Sequence, residues 1–201
     1  MPAMSRVLQT FEKPRRKTRW SYEEYYQMAE AGVFDNQRVE LINGEIVEMP
    51  PQGESHDVAI LLATRELSTI FGKGYVIRTQ MPLRTGVNEE PEPDLAVVIG
   101  DPRDTLTTGR PRSALLVVEA AVITLEYDLK EKAEIYAGAG IEDYWVIDIE
   151  ARHLHVHRRT IPDATVARGR RYSQIEVLEE SGLISPLSMP NHPIRIMDLL
   201  P

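Results

Sequence analysis

The chain has no cysteine, so neither a disulfide nor a thiolate-bound metal is available to it. It has no apolar run near the roughly 18–20 residues that a membrane-spanning helix needs. Its first residues, MPAMSRVLQTFEKPRRKTRW, hold no continuous apolar core of the signal-peptide kind, and the cytoplasm is the expected location. Positive charge is also short, since the net charge is −8 at pH 7. Proteins that coat nucleic acid without sequence preference draw on clustered Lys and Arg, so the overall balance argues against that class. What is there is an ordinary globular composition, 42% hydrophobic and 27% charged over 201 residues, enough for one core in one domain.

Two short runs depart from the acidic average. KPRRKTR (Lys13 to Arg19) and RGRR (Arg168 to Arg171) are locally basic, either as solvated tail and loop or as arms that touch nucleic acid. Residues 1–19, polar and without periodicity, read as a disordered basic arm, and residues 20–201 as a single domain.

Along that domain the local signals alternate. Ser21 with Glu24 three residues later forms a capping box for a helix with Tyr25, Met28 and Ala29 on its apolar stripe and Gly32 at its end. Asn43-Gly44 between two alternating segments predicts a hairpin with a type I′ turn. HDVAILLATRELSTIFGKG reads as a helix offering Ile60, Leu61, Leu67 and Ile70 to the core. Strands follow at YVIRTQMPLRT, at PDLAVVIG and over residues 114–123, then a helix in TLEYDLKEKAEIYAGAG and a strand-turn-strand unit in DYWVIDIEARHLHVHRR. The tail predicts another hairpin and a short terminal helix. The fold class is α+β, a mixed sheet with helices packed on it.

Chemistry enters with Glu119. It interrupts the apolar run LLVVEAAVI, and a carboxylate in such surroundings costs several kcal/mol unless a proton, a partner or a metal compensates it. Asp94 opens the preceding strand 25 residues earlier, and Lys132 follows 13 residues later in the next helix. Two acids and an ammonium at one end of a sheet are a recurring hydrolytic arrangement. The acids hold a hard cation such as Mg²⁺, with Mn²⁺ as substitute, and the cation acidifies a water and screens a phosphate.

The segments RVELINGEIVEMP, SHDVAILLA, PEPDLAVV and VVEAAVITLEYDLKEKAEIYAGAGIEDYWVID resemble the Uma2 family, also called DUF820, over roughly residues 20–198. That resemblance implies a PD-(D/E)xK nuclease-like core, with an N-terminal helix and hairpin and a C-terminal hairpin added to it. It implies Mg²⁺-dependent hydrolysis of DNA phosphodiester bonds, with DNA as partner and a homodimer as the assembly. Asp94 and Glu119 become the metal pair and Lys132 the residue that orients or activates the attacking water. Glu40 is placed at the metal shell and His56 beside a phosphate. The general nuclease signature carries its lysine at the position of Ala121, so Lys132 is a migrated substitute. Val122 and Ile123 stand where relatives carry polar side chains.

Other residues have plainer readings. His153, His155 and His157 alternate along one strand, so their side chains share a face, with Leu154 and Val156 turned to the core. Same-face neighbours lie roughly 6.5–7 Å apart, too far for one Zn²⁺ to take all three, and a solvent-facing row is expected. Asp143 and Asp148 bracket a core strand and are assigned to structure. The competing functional reading, favoured by the net charge and by Val122 and Ile123, is a nuclease-fold protein that binds nucleic acid or protein without cutting.

Overall fold

The computed structural model describes residues 18–201, so most of the expected basic arm lies outside the described residues. Ser21 caps α1 (Tyr22–Glu30) with the anticipated box, its side chain accepting from Glu24 N–H while the Glu24 carboxylate accepts from Ser21 N–H. β1 (Val39–Ile42) and β2 (Glu45–Glu48) pair around Asn43 and Gly44, whose φ angles of 51° and 75° are those of a type I′ turn. Gly44 is also a point of close approach: a Cβ there would sit 2.8 Å from Arg19 Cβ.

The main sheet has six strands in the order β3-β4-β5-β6-β7-β8. These are β3 (Tyr75–Thr79), β4 (Leu95–Ile99), β5 (Leu116–Ala121), β6 (Asp143–Asp148), β7 (His153–Pro162) and β8 (Arg170–Glu179). Every pairing is antiparallel except β5 with β6. A parallel pair needs a crossover, and the chain makes it with one nearly continuous helix over the sheet. That helix consists of α4 (Leu125–Tyr127), a π-helical stretch (Asp128–Lys132) and α5 (Ala133–Gly138); α3 (Thr105–Thr108) is a single turn in the β4–β5 connection. α2 (Glu54–Ile70) covers the opposite face.

Strand alternation divides the apolar residues between these layers. Leu95, Val97, Leu116, Val118 and Trp145 pack with Ala59, Ala63 and Leu67 of α2. Ala96, Val117, Ala121, Tyr144 and Val146 pack with Ala133 and Tyr136 of the crossover. The result is a mixed α+β fold, a central sheet flanked by helices.

Two expectations are corrected here. Leu61 is exposed, because the buried stripe of α2 runs through His56, Ala59, Ile60, Ala63 and Leu67, and Leu61 falls off it. In the tail, β8 pairs along β7 as the sixth strand of the main sheet, and the expected hairpin and terminal turn come after it. β9 (Leu183–Ile184) and β10 (Ile194–Arg195) form a separate small ladder, followed by a 3₁₀ turn that packs on α2. The histidine row is not solvent-facing. His157 is buried between Tyr144 and Tyr172, and burial, with His155 adding to it, pushes its pKa down to about 4. His155 is half-buried with Nε2 3.6 Å from Asp148. Packing of β8 and of the tyrosines against β7 closes a face that alternation alone leaves open.

Asp143 has a structural place, tied to Arg158 Nε at 2.7 Å, Trp145 Nε1 at 2.8 Å and Leu187 N–H at 2.7 Å. The RGRR run is spent inside the fold. Arg168 binds Glu89 and Glu131, Arg170 binds Thr160, and Arg171 binds Asp163. No described helix is long and apolar enough to cross a membrane.

Candidate active site

Asp94 stands one residue before β4, and Leu95 pairs with Val118, which puts Asp94 opposite Glu119 on the neighbouring strand. Backbone and side chains lock the two together. Asp94 N–H donates to Glu119 Oε2 at 3.0 Å, and Ala120 N–H donates to Asp94 Oδ2 at 2.9 Å. Each carboxylate is therefore held by the main chain of the other's strand. Both side chains lie on the crossover side of the sheet, the face of Ala96, Val117 and Ala121.

The crossover helix delivers the cation. Lys132 Nζ lies 2.8 Å from Glu40 Oε1 and 3.3 Å from Glu119 Oε1, fully buried. It ends the π-helical stretch, which starts at Asp128, also buried. A π turn is wider than an α turn and occurs often at functional sites; here it brings an acid and a lysine to the same sheet end. Tyr136, one turn further on, donates its hydroxyl to Glu119 Oε1 at 2.6 Å. Glu40, on β1, also accepts from Glu92 N–H at 2.7 Å, while its Oε2 has no partner among the described residues. The first turn of α2 supplies His56, whose Nε2 lies 3.1 Å from Asp94 Oδ2. Gln80, just past β3, donates to Asp94 Oδ1 at 3.3 Å.

All five residues singled out by sequence thus meet at one place. Glu40 is bonded to Lys132. His56 has its Nε2 on Asp94. Sequence reasoning missed Glu92, Asp128, Tyr136 and Gln80. Glu92 and Asp128 had a signal in their spacing, two residues before Asp94 in PEPD and four before Lys132 in DLKEK. Tyr136 and Gln80 had none.

The residues border a cleft with about 550 Å³ of empty space, open to solvent at its mouth. Its lining holds Glu92, Asp94, Glu119 and Asp128, with Arg38 among them, and the apolar Pro50, Pro51, Val122 and Ile123. Ile123 is 76% exposed, so the expected departure from polar residues forms the cleft's rim.

Five carboxylates, with Glu40 beside the four of the cleft, face Lys132, His56 and Arg38, and the electrostatics register the imbalance. Burial pushes Glu119 up to about 8, with Asp94 and Asp128 adding to it against the pull of Lys132. Burial pushes Asp128 up to about 6 and also raises Glu92, where Glu40 adds to the effect. Burial works to lower Lys132, but Glu119 and Glu40 outweigh it and hold the ammonium protonated well above its usual range. The same competition raises His56 against burial through Asp94, and His56 in turn keeps Asp94 below the usual carboxylate range despite its burial.

These residues fit a hard divalent cation. The donors are carboxylate oxygens from two adjacent strands, with an unpartnered carboxylate oxygen behind them, and a negative charge surplus for a cation to offset. Among the described residues no three His, Asp or Glu side chains stand ready as a complete ligand set. Mg²⁺ commonly uses one or two carboxylates and completes its shell with water and substrate oxygens, so two are sufficient.

The profile of the Uma2 family, described as "putative restriction endonuclease", matches residues 22–192. A crystal structure from Anabaena variabilis, of a "putative nuclease belonging to DUF820", has the same fold. It is 17% identical, with a TM-score of 0.68 over 89% of this chain and 96% of that one. No curated protein matches the sequence.

Proposed function

The chain belongs to the Uma2 family, and from that membership and the geometry of its cleft we propose that it is a divalent-metal-dependent endonuclease hydrolysing DNA phosphodiester bonds. The observation that carries this reading is the facing pair Asp94 and Glu119, with a buried lysine bonded to the second of them. Asp94 and Glu119 would hold Mg²⁺ or Mn²⁺, which when bound supplies positive charge that acidifies a water and offsets the charge of a phosphate.

The chain's own groups do the rest. Lys132 is too firmly protonated to accept a proton, so its part is to orient the nucleophile and stabilise negative charge developing on the phosphate. Glu40 and Glu119 hold that ammonium in place. Gln80 and His56 brace Asp94, and Tyr136 braces Glu119. A homodimer, with one site for each DNA strand, and a cytoplasmic location complete the reading.

Cleavage of supercoiled plasmid and short duplex DNA in Mg²⁺ or Mn²⁺ tests it. Wild type is expected to cut, and Asp94→Ala and Glu119→Ala to lose at least about 100-fold, the scale on which removing a group essential to transition-state stabilisation acts. Equal cutting by all three removes the site from the chemistry. A wild type that binds DNA and metal without cutting supports the second reading, a non-cleaving binding module, which the apolar rim at Val122 and Ile123 favours.

A further inference from the structure

Arg78 is the one central residue of β3 that is buried, at 8% exposure, and it has no carboxylate within ion-pair distance among the described residues. Its single hydrogen bond is from Nη2 to Pro82 O at 3.1 Å, and its Nε is buried without a partner. A guanidinium offers five N–H donors and stays charged in any protein setting. Burying that charge uncompensated is costly. Elsewhere even half-buried arginines are matched: Arg168 to Glu89 and Arg158 to Asp143.

Arg78 lines a second cleft, separate from the acidic one, with about 1100 Å³ of empty space open to solvent. Arg110 stands in the same wall, Thr105 and Thr108 bring hydroxyls, and Met81 and Ile99 make it partly apolar. Arg110 already serves Glu90 at 2.6 Å, but Arg84 serves that same carboxylate, so the neighbourhood keeps a positive surplus. Of the two acids in its lining, Asp101 pairs with Arg103 at 3.5 Å. Asp101 accepts from Arg103 N–H and Asp104 from Asp101 N–H, capping the short turn that they belong to.

We infer that this cleft is an oxyanion site, in which Arg78, with Arg110 beside it, binds a phosphate group. The anion supplies the charge and the acceptors that the protein withholds from Arg78. Burial, with Arg110 adding to it and Glu90 opposing it only in part, disfavours the charged guanidinium, and a bound anion reverses that. Phosphate can arrive as a free ion or as part of a nucleic-acid backbone. The cleft is reached along β3 from Gln80, the residue that donates to Asp94. The inference does not depend on the nuclease reading, and its test omits metal altogether.

Thermal unfolding of the full chain in EDTA, in inorganic phosphate against chloride at matched ionic strength, is the primary experiment. At ten times the dissociation constant the wild type is expected to gain about 3–5 °C. Arg78→Met should lose that gain while melting, in chloride, at or above the wild-type temperature, because an uncompensated buried charge has gone. An Arg78→Met chain that responds to phosphate like wild type, or a wild type that does not respond, overturns the site. If Arg78→Met does not fold, the wild-type Arg78 Nε–H resonance decides: it shifts on phosphate titration, and a resonance indifferent to phosphate overturns the proposal. A single-stranded oligonucleotide without terminal phosphates separates the sources. Displacement of phosphate by it identifies the backbone as ligand, and failure to displace identifies the free ion.

Discussion

Glu90 and Glu119 are buried almost equally, at 2% and 4% exposure, yet they sit in regions of opposite charge balance. Glu90 accepts from Arg84 Nε at 3.1 Å, Arg110 Nη1 at 2.6 Å and the Tyr26 hydroxyl, while Arg84 and Arg110 stack on Tyr22 and Tyr26. Its backbone N–H bonds Leu41 O, so this knot ties α1 and the hairpin to the loop after β3. Glu119 shares one ammonium with Glu40 and has Asp94 and Asp128 as neighbours. One acid is closed off by more cation than it needs; the other is left short of cation beside an open cleft. Burial alone therefore does not separate the two carboxylates, whereas the sign of the charge left over does, and on the proposed function that sign belongs to the residue that works on substrate.

Truncating each glutamate in turn breaks the comparison most directly. Glu90→Ala strands two arginines that are only about a third exposed, and it is expected to cost about 3 kcal/mol, the lower end for removing one partner of a buried pair. Glu119→Ala should cost clearly less without metal, because Lys132 keeps Glu40 and the remaining acids lose a repelling neighbour. Urea unfolding in EDTA measures both. Equal losses would make Glu119 as structural as Glu90.

How much of this contrast could be read beforehand depends on the range of the interaction. Ser21 with Glu24 and Asn43 with Gly44 act over three residues or fewer, and both motifs are present as expected. Asp94 and Glu119 were legible because a charge in or beside an apolar run is conspicuous, and Lys132 through its spacing from them and the family resemblance. The Glu90 knot was not legible: its arginines lie 6 residues before and 20 after it, with nothing in the intervening sequence to pair them. The π-helical stretch likewise leaves no mark, since DLKEK suits an ordinary helix. His157 was misread because whether a strand face is covered depends on what packs over it, here Tyr144 and Tyr172.

The pH dependence sharpens the comparison at intermediate cost. The folded-state pKa of Glu119 is raised to about 8 by burial, above its unfolded value. The folded chain then binds more protons than the unfolded chain between those values, and stability falls as pH rises. The contribution is present in full below the unfolded pKa and is lost as pH passes through about 8. Asp128, raised to about 6, acts in the same direction at lower pH, so pH 6 to 8 is the window for Glu119. Without metal the wild type is expected to lose stability across it, and Glu119→Gln to lose up to about 1.4 kcal/mol less per pH unit. A shallower fall should persist in the variant from His56, whose pKa Asp94 raises against burial. Identical slopes in the two proteins would mean that Glu119 is ionised throughout and that its deficit of cation is only apparent.

The smallest expected effect concerns the group that Glu119 has and Glu90 shares, a tyrosine hydroxyl. Tyr136 donates to Glu119 Oε1, but that oxygen also has Lys132 nearby and Oε2 keeps Asp94 N–H. Tyr136→Phe removes one bond of three and leaves the ring packed against Tyr144, so the stability loss should be about 1 kcal/mol. A purely structural hydroxyl would do no more than that. The hydroxyl also favours the ionised carboxylate, so its loss should move the midpoint of the Glu119 transition to higher pH. Mg²⁺ affinity should fall together with it, by about tenfold, the lower end of the range for partners that orient metal-binding groups. Isothermal titration with Mg²⁺ at pH 7 and at pH 9 separates the two causes. If the tyrosine acts through the protonation of Glu119, the defect shrinks at pH 9, where the carboxylate is ionised in both proteins; a defect of the same size at both values would mean that Tyr136 acts by holding the carboxylate's orientation.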